Sequence, residues 1–235
     1  MVKLGNFLFH YRNFLFPVFY LLLFISSPPI FRDYKISVII GLIIAFAGQA
    51  IRAITVGLQY IIRGGRNRRI YAEGLVTSGI FSHCRNPLYI GNILIILGLA
   101  FVANSLLFLL MLVPVFIFFY QAIVLAEENF LLSKFNGAFE DYKSKVNRWL
   151  PKFRGISSTL QSMEMKWQRI FIKEYTSAYV WITGAVLLIM KNNYLYYGKN
   201  QLYNYLLLFI GVLLALLIFY LTVRYFKKTK KWTGD

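Results

Sequence analysis

Long apolar stretches dominate this chain and constrain its fold more than any other feature. Six of them alternate with polar segments, at about 7–25, 36–62, 88–103, 106–126, 176–190 and 202–223. A helix needs about 20 apolar residues to cross a bilayer, and most of these stretches reach that length, although the third and fifth are short. Apolar residues make up 58% of the 235 residues. We therefore predict an all-α integral membrane protein with about six transmembrane helices.

The distribution of basic residues predicts the topology. The net charge is +17, and 21 of the 26 Lys and Arg residues fall in alternate polar segments, against four in the others. Such an asymmetry marks the cytoplasmic side of a multi-pass protein, so both termini and the polar clusters described below are expected there. This distribution favours a membrane environment and argues against a nucleic-acid partner.

The reactive residue types are few. One cysteine excludes an internal disulfide and a multi-cysteine zinc site, and two histidines argue against a histidine-rich metal site, so we expect no metal. The first apolar stretch is aromatic-rich and ends at residues 26–29 without a small-residue cleavage pattern. We therefore interpret it as a retained membrane anchor rather than a signal peptide.

One polar stretch, residues 74–91, stands out beside the membrane. It reads GLVTSGIFSHCRNPLYIG, and it follows a basic segment that contains Arg63, Arg66, Arg68 and Arg69. Asn86 and Pro87 predict a helix start, because Asn offers a side-chain acceptor at the cap and Pro tolerates the first helical position. The free N–H groups and positive dipole end of that helix suit an anionic group.

A second polar cluster, Glu127 and Glu128, lies at the far end of the next two apolar stretches. The turn between those stretches, at Asn104 and Ser105, is very short, so we predict an antiparallel helical hairpin. The hairpin would bring Pro87 close to Glu127. Paired carboxylates at a membrane boundary suit a cationic ligand or its amino and hydroxyl groups; the alternative is a solvated helix end.

Arg52 lies inside the second apolar stretch, with Gln49 about one turn earlier. An arginine within a membrane helix is a candidate for function, and it is one of our three catalytic candidates. Its alternative role is structural, as the partner of a backbone carbonyl or a glutamate. Gly41, Ala45 and Gly48 give the same helix a face of small residues, which predicts close helix packing.

The other two catalytic candidates, His83 and Arg85, lie in the polar stretch. His83 fits either a general base or a polar loop residue. Arg85 and Tyr89 flank the helix start and can contact a ligand, although Tyr89 also fits an interfacial anchor. Cys84 has no acid–base partner evident in the sequence, which argues against a thiol mechanism.

Residues 156–173 have the pattern of an amphipathic helix. Apolar residues recur at helical spacing, and basic residues lie off that stripe. We predict a cytoplasmic interfacial helix; packing against the membrane helices of the same chain fits equally well. We expect one membrane domain over residues 1–235.

Three motifs in order carry a family resemblance. The first is Leu75–Gly79 with Phe81 two residues on, and the second is Arg85–Gly91, close to R-[HN]-P-x-Y-x-G. The third is Glu127–Glu128, followed by Phe135, Tyr142 and an ending at Leu150–Pro151. Over about residues 40–152 the chain thus resembles the superfamily of isoprenylcysteine carboxyl methyltransferases and phospholipid methyltransferases.

The resemblance implies S-adenosylmethionine as cofactor and methyl transfer to a lipophilic or membrane-embedded acceptor. It implies a methyltransferase-like core over residues 36–155, with the amphipathic helix and two additional helices in residues 156–235. It also implies that the cofactor pocket is formed by Glu73, Gly74, Leu75, Val76, Phe81, Asn86, Pro87, Leu88, Tyr89, Glu127 and Glu128.

The chain also departs from the family pattern. Asn86 replaces the histidine of the prenylcysteine enzymes, Asn136 stands where glycine is usual, and Ile123 stands where those enzymes have an arginine. These differences put a prenylcysteine carboxylate acceptor in doubt. Two alternatives stay open: an NADPH-dependent sterol-type membrane reductase, which carries a similar R-x-P-x-Y element, and a non-catalytic lipid-binding membrane protein.

Overall fold

The computed structural model describes residues 1–58 and 68–232, and this part of the chain is helical. Arg63, Arg66 and the last residues of the predicted second span lie outside it. The helices are α1 (Val2–Leu21), α2 (Tyr34–Leu58), α3 (Pro87–Val102), α4 (Val113–Phe135), α5 (Gly137–Lys145), α6 (Ile156–Gln161) and α7 (Trp167–Lys228). A π-helical turn, Phe108–Leu112, continues directly into α4.

The predicted membrane class is confirmed. In the described part of the chain, four helical segments are long and apolar enough to cross a bilayer: Val2–Phe24, Tyr34–Leu58, Phe108–Phe135 and Trp167–Lys228. Helix α3 is apolar but shorter, as the sequence indicated.

Helix α7 contains both of the predicted C-terminal spans. Its 62 residues would extend about 93 Å if straight, three times the thickness of the apolar bilayer core. The chain reverses instead at Gly198, whose φ of 78° and ψ of −175° are not helical. The rings of Tyr175 and Tyr220 then lie 5.1 Å apart and those of Phe171 and Phe219 lie 6.2 Å apart. The two halves of α7 therefore form an antiparallel hairpin.

Helices α2 and α3 form the most extensive helix–helix contact. Their crossing is close because glycines face each other. A Cβ at Gly98 would lie 2.5 Å from the carbonyl oxygen of Gly41 and 2.7 Å from the Cβ of Ala45. A Cβ at Gly48 would lie 2.6 Å from the carbonyl oxygen of Gly91. The predicted small-residue face of α2 is thus confirmed as a packing surface.

Helices α1 and α4 pack through aromatic rings. Phe16 of α1 contacts Phe116 and Tyr120 edge to face, with both centroid distances 5.4 Å. Tyr20 stacks on Phe116 at 5.5 Å. Edge-to-face and offset pairs add to the free energy gained by burying the rings, so these contacts hold α1 beside the helix that carries Glu127.

The turn between α3 and α4 confirms the predicted hairpin, and Asn104 organises it. The residue adopts a φ of 50°, a left-handed conformation that Asn tolerates. Its side-chain oxygen accepts hydrogen bonds from the backbone N–H groups of Ile30 and Phe31, at 2.9 and 3.0 Å. Its side-chain nitrogen donates to the hydroxyl of Tyr196 at 2.9 Å. One turn residue thus ties the hairpin to the α1–α2 connection and to α7.

A buried ion pair attaches α7 to the rest of the bundle. Arg52 of α2 donates from Nε to Glu174 of α7 at 2.8 Å and from Nη2 at 3.1 Å, and the two side chains are 4% and 3% exposed. A third donor of Arg52 reaches Asn92 of α3. Gln49 donates to Glu174 at 3.1 Å and accepts from the indole of Trp181 at 2.9 Å. Three helices therefore meet in one polar network, which fits the structural alternative for Arg52.

The predicted amphipathic helix over residues 156–173 is not continuous. Helix α6 ends at Gln161, residues 162–166 are not helical, and Trp167 begins α7. The backbone N–H of Lys166 donates to the carbonyl of Gly57 at 3.1 Å, so α7 starts from a contact with the end of α2. The apolar spacing that suggested one helix comes from two helices in succession.

We predict that Gly98→Ala destabilises the protein by about 1–3 kcal/mol, because the added methyl group meets backbone and Cβ atoms that cannot move separately. Thermal unfolding in detergent measures the change. Gly211→Ala is the matched control, since its Cβ has open space and alanine favours a helix over glycine. Equal unfolding temperatures for Gly98→Ala and the wild type would contradict the close crossing.

We predict that Glu174→Gln costs about 3–5 kcal/mol of stability, because it leaves the buried guanidinium of Arg52 without its counter-charge. The double variant Arg52→Met, Glu174→Leu removes both charges and should be more stable than either single variant. Chemical denaturation of all four proteins gives the coupling energy. Additive losses would show that the two side chains do not act as a pair.

Candidate functional site

A cavity of about 230 Å³ lies where the two polar motifs meet. It is enclosed by the chain segment 71–76, by the loop before α3, and by α4 and α5. Its lining residues are Tyr71, Ala72, Glu73, Gly74, Leu75, Val76, Phe81, Arg85, Asn86, Glu127, Glu128, Leu131, Phe139 and Tyr142. Eight of the eleven residues predicted for the cofactor pocket therefore line one cavity.

The α3–α4 hairpin brings Glu127 to Tyr89, as the short turn predicted. The hydroxyl of Tyr89 donates to Oε1 of Glu127 at 2.7 Å. Tyr89 is not among the residues that line the cavity, so it supports the carboxylate from behind. Pro87 and Leu88 do not line it either. Glu127 consequently faces the cavity with one oxygen already held in place.

Glu128 has a different environment from its neighbour, because two arginines bind it. Arg148 donates to its two oxygens at 3.0 and 2.6 Å, and Nη2 of Arg85 lies 3.3 Å from Oε1. The hydrogen bond to Glu128 raises the pKa of Arg148 above its ordinary value. Glu127 has no such arginine contact in the part of the chain that the structure describes. The two adjacent carboxylates thus differ in how strongly they are neutralised.

Arg85 lines the cavity with unused hydrogen-bond donors. Its side chain is only 9% exposed, and its Nε and Nη1 atoms have no hydrogen-bond partner among the described residues. Buried donors without a partner are uncommon and costly in folded proteins. Arg85 thus places beside the cavity a guanidinium with two donors that are unpaired within the part of the chain that the structure describes.

The helix start at Asn86 and Pro87 is confirmed, but the predicted side-chain cap is wrong. Pro87 is the first residue of α3, and the side chain of Asn86 makes no capping hydrogen bond. Its amide instead donates to the backbone carbonyl of Arg148 at 3.2 Å. The side chain is therefore drawn toward the segment after α5, and Asn86 lines the cavity from that position.

Backbone contacts fix the loop before α3 against the segment after α5. The N–H of Arg85 donates to the carbonyl of Asn147 at 3.0 Å, and the N–H of Lys152 donates to that of His83 at 2.9 Å. The hydroxyl of Tyr142 donates to the carbonyl of Phe81 at 2.7 Å. These contacts explain how residues 61 or more positions apart build one wall.

The structure places the candidate His83 outside the cavity. Its Nδ1 lies 2.7 Å from the carbonyl oxygen of Lys152, and its Nε2 lies 2.8 Å from the hydroxyl of Thr159. Both ring nitrogens thus connect the loop to the chain around α6. This arrangement fits the alternative interpretation, a polar loop residue. Arg52 is also absent from the lining, since Glu174 and Asn92 engage it.

Cys84 is buried, and its thiol donates to the carbonyl of Arg148 at 3.4 Å. Burial raises the pKa of this thiol above its ordinary value. The neutral thiol is therefore favoured at neutral pH, whereas a nucleophile requires the thiolate.

Five lining residues were not assigned to the site from the sequence: Tyr71, Ala72, Leu131, Phe139 and Tyr142. Leu131 lies four residues after Glu127 on α4, so helical spacing alone places it on the same face. The segment containing Tyr71 is held by Lys134, which donates to the carbonyl of Ala72 at 2.5 Å. That contact joins residues 62 positions apart, and no local pattern signals it.

The comparisons with known proteins cover the centre of the chain. Residues 36–138 match the family described as Phospholipid methyltransferase. The chain is 39% identical over 87 residues to the cobalt-zinc-cadmium resistance protein CzcN of Cupriavidus metallidurans, a region that covers 36% of this chain and 40% of that protein. It is 35% identical over 89 residues to the nickel-cobalt-cadmium resistance protein NccN of Alcaligenes xylosoxydans xylosoxydans, covering 37% and 41%.

The alignments thus span about two fifths of the length of these curated relatives. No solved structure matches the chain. The matched region contains α2, α3, α4 and both polar motifs, and it confirms the resemblance seen in the sequence. Residues 36–138 of this chain are thus similar to the phospholipid methyltransferase family.

Proposed function

We propose that this chain is an S-adenosylmethionine-dependent methyltransferase that acts on a lipophilic acceptor. The family match over residues 36–138 supports methyl transfer. The observation that carries the proposal for this site is that Glu127 and the guanidinium-bearing Arg85 line the same cavity. A carboxylate and a guanidinium in one cavity suit a zwitterionic ligand.

The donor set fits the chemistry of the proposed cofactor. Its ammonium and hydroxyl groups need acceptors, which Glu127 and Glu73 can provide, and its carboxylate needs donors, which Arg85 can provide. Leu75, Val76 and Phe81 offer apolar surface in the same cavity. When bound, the cofactor supplies a methyl group on a sulfonium, an electrophile that needs no metal.

The residues of the chain then have a positioning role. An in-line methyl transfer would require the acceptor atom to be aligned with the methyl carbon, and the lining residues would provide that alignment. The carboxylate of Glu127, held by Tyr89, fixes one end of the ligand, and the Arg148–Glu128–Arg85 cluster fixes the other wall. The apolar lining residues Leu75, Val76 and Phe81 would limit the access of water to the reacting carbon.

The membrane setting supports a lipophilic acceptor. The cavity lies at the ends of α3 and α4, both of which continue into apolar sequence, so an acceptor can reach it laterally from the bilayer. The excess of Lys and Arg in alternate segments supports a cytoplasmic location for this end of the bundle and for both termini.

We predict that Glu127→Gln weakens the binding of S-adenosylmethionine and S-adenosylhomocysteine at least about tenfold, because the charged acceptor is lost. Isothermal titration calorimetry on the detergent-purified protein measures both affinities. Glu140→Gln is the matched control, since Glu140 is an exposed acidic residue on α5 outside the cavity.

Binding of NADPH alone would overturn the proposal in favour of a reductase. If the folded protein binds none of these three compounds, the interpretation as a non-catalytic lipid-binding protein is favoured. Equal losses in Glu127→Gln and Glu140→Gln would show that the effect is not specific to the cavity.

We predict that Cys84 does not take part in the reaction. The native protein should resist alkylation by iodoacetamide at pH 8, because the thiol is buried and its raised pKa keeps it protonated. The same protein should react fully once it has been denatured, and mass spectrometry would measure the alkylated fraction in both cases. Rapid alkylation of the folded protein, with loss of cofactor binding, would contradict this assignment.

A further inference from the structure

A second cavity, of about 630 Å³, lies on the other side of α4. It is open on one side and is bounded by the first turns of α1, by the segment 68–70 and by the last turns of α4. Its lining residues are Asn6, Phe7, Phe9, His10, Tyr11, Arg68, Arg69, Ile70, Ala126, Asn129, Phe130 and Ser133. No residue of this set belongs to the first cavity.

Helix α4 separates the two cavities and lines each of them with different residues. Helix α4 presents Glu127, Glu128 and Leu131 to the first cavity, and it presents Ala126, Asn129, Phe130 and Ser133 to the second. Likewise, residues 68–70 line the second cavity and residues 71–76 line the first. A ligand in the second cavity is therefore separate from the proposed cofactor, and an inference about it does not depend on the proposed function.

The charge of the second cavity is of one sign. Arg68 and Arg69 both line it, together with the imidazole of His10, and no aspartate or glutamate is among its described lining residues. Side chains of consecutive residues in an extended chain normally point to opposite sides. Arg68 has a φ of 59°, which interrupts that alternation, and both arginines reach the same cavity.

Neutral donors lie beside these cations. The side-chain amides of Asn6 and Asn129 line the cavity and can donate to an oxygen anion. Guanidinium groups match the geometry and charge of oxyanions such as phosphate, because several N–H donors lie in one plane. The polar part of the cavity therefore suits a phosphate group.

The cavity also has an apolar side that faces outward. Phe7 and Tyr11 of α1 are 53% and 46% exposed, and both line the cavity. They lie within the first turns of a helix that is long and apolar enough to span the membrane. Aromatic side chains at such a position are typical of the headgroup level of a bilayer. The phosphate would thus be held at the depth where phospholipid headgroups lie.

We propose that this second cavity binds the phosphate group of an anionic phosphate ester at the membrane interface. The group can belong to a phospholipid or to a soluble phosphate ester, because the arginines and amides recognise the same oxygens in both. The exposed aromatic side favours the lipid, since it would contact the first carbons of an acyl chain.

The test is the thermal stability of the purified protein with short-chain ligands. Dioctanoyl phosphatidic acid and dioctanoyl phosphatidylglycerol should raise the unfolding temperature in a dose-dependent way, whereas dioctanoylglycerol, which lacks the phosphate, should not. Glycerol 3-phosphate and inorganic phosphate distinguish the two sources. If the soluble phosphates stabilise the protein at the same concentrations as the lipids, the cavity needs only the phosphate group and not the acyl chains.

The double variant Arg68→Gln, Arg69→Gln should bind the phosphate lipids roughly 10- to 30-fold more weakly, on the basis of about 1 kcal/mol for each basic residue near the headgroups. Arg68→Lys, Arg69→Lys keeps the charge but not the planar donors, so its affinity should lie between those of the glutamine variant and the wild type. Lys227→Gln, Lys228→Gln is the matched control, because it removes the same charge from the end of α7.

Two results would overturn the proposal. The first is that no phosphate ligand stabilises the wild-type protein. The second is that Arg68→Gln, Arg69→Gln and the control Lys227→Gln, Lys228→Gln lose affinity equally, which would indicate only a general attraction of anions to a basic protein. Circular dichroism and size-exclusion elution of each variant establish that it is folded, so that a loss of affinity reports the cavity.

Discussion

The short turn at Asn104 is the constraint on which the functional part of the structure depends. Helices within a bilayer can end only near its surfaces, since backbone groups in lipid need partners within the helix. A three-residue turn, 103–105, at one surface therefore returns α4 to the surface from which α3 began. This return brings Tyr89 within 2.7 Å of Glu127. Asn104 satisfies the exposed backbone of a neighbouring connection at the same turn, so the hairpin cannot shift without breaking those hydrogen bonds.

The ion pair between Arg52 and Glu174 has a comparable role for the C-terminal helices. Arg52 lies inside the region that matches the family, and Glu174 lies beyond it. A charge within a membrane helix requires a partner, and here the partner comes from a part of the chain outside the matched region. Together with Gln49 and Trp181, the pair makes α7 an integral part of the bundle rather than an appended hairpin.

Periodicity and length were enough to predict the membrane class, the spans and the α3–α4 hairpin, because these follow from local composition and from the thickness of a bilayer. They were not enough to predict which distant side chains pair. Arg52 was recognised as needing a partner, but its partner Glu174 is 122 positions away. The cap predicted for Asn86 failed for the same reason, since the backbone of Arg148 competes for its side chain. The prediction of one helix over residues 156–173 was wrong because apolar residues keep their helical spacing across the non-helical segment 162–166.

Helix α4 has one further consequence, because its opposite faces line two separate cavities. A rotation of this helix about its own axis moves Glu127 and Asn129 together, so such a rotation changes the shape of both cavities. Any two ligands that favour different rotations of α4 would influence each other's affinity. Thermodynamic linkage requires that influence to be reciprocal, with the same factor in both directions. A ligand that rotated α4 from one face would therefore change the affinity at the other face.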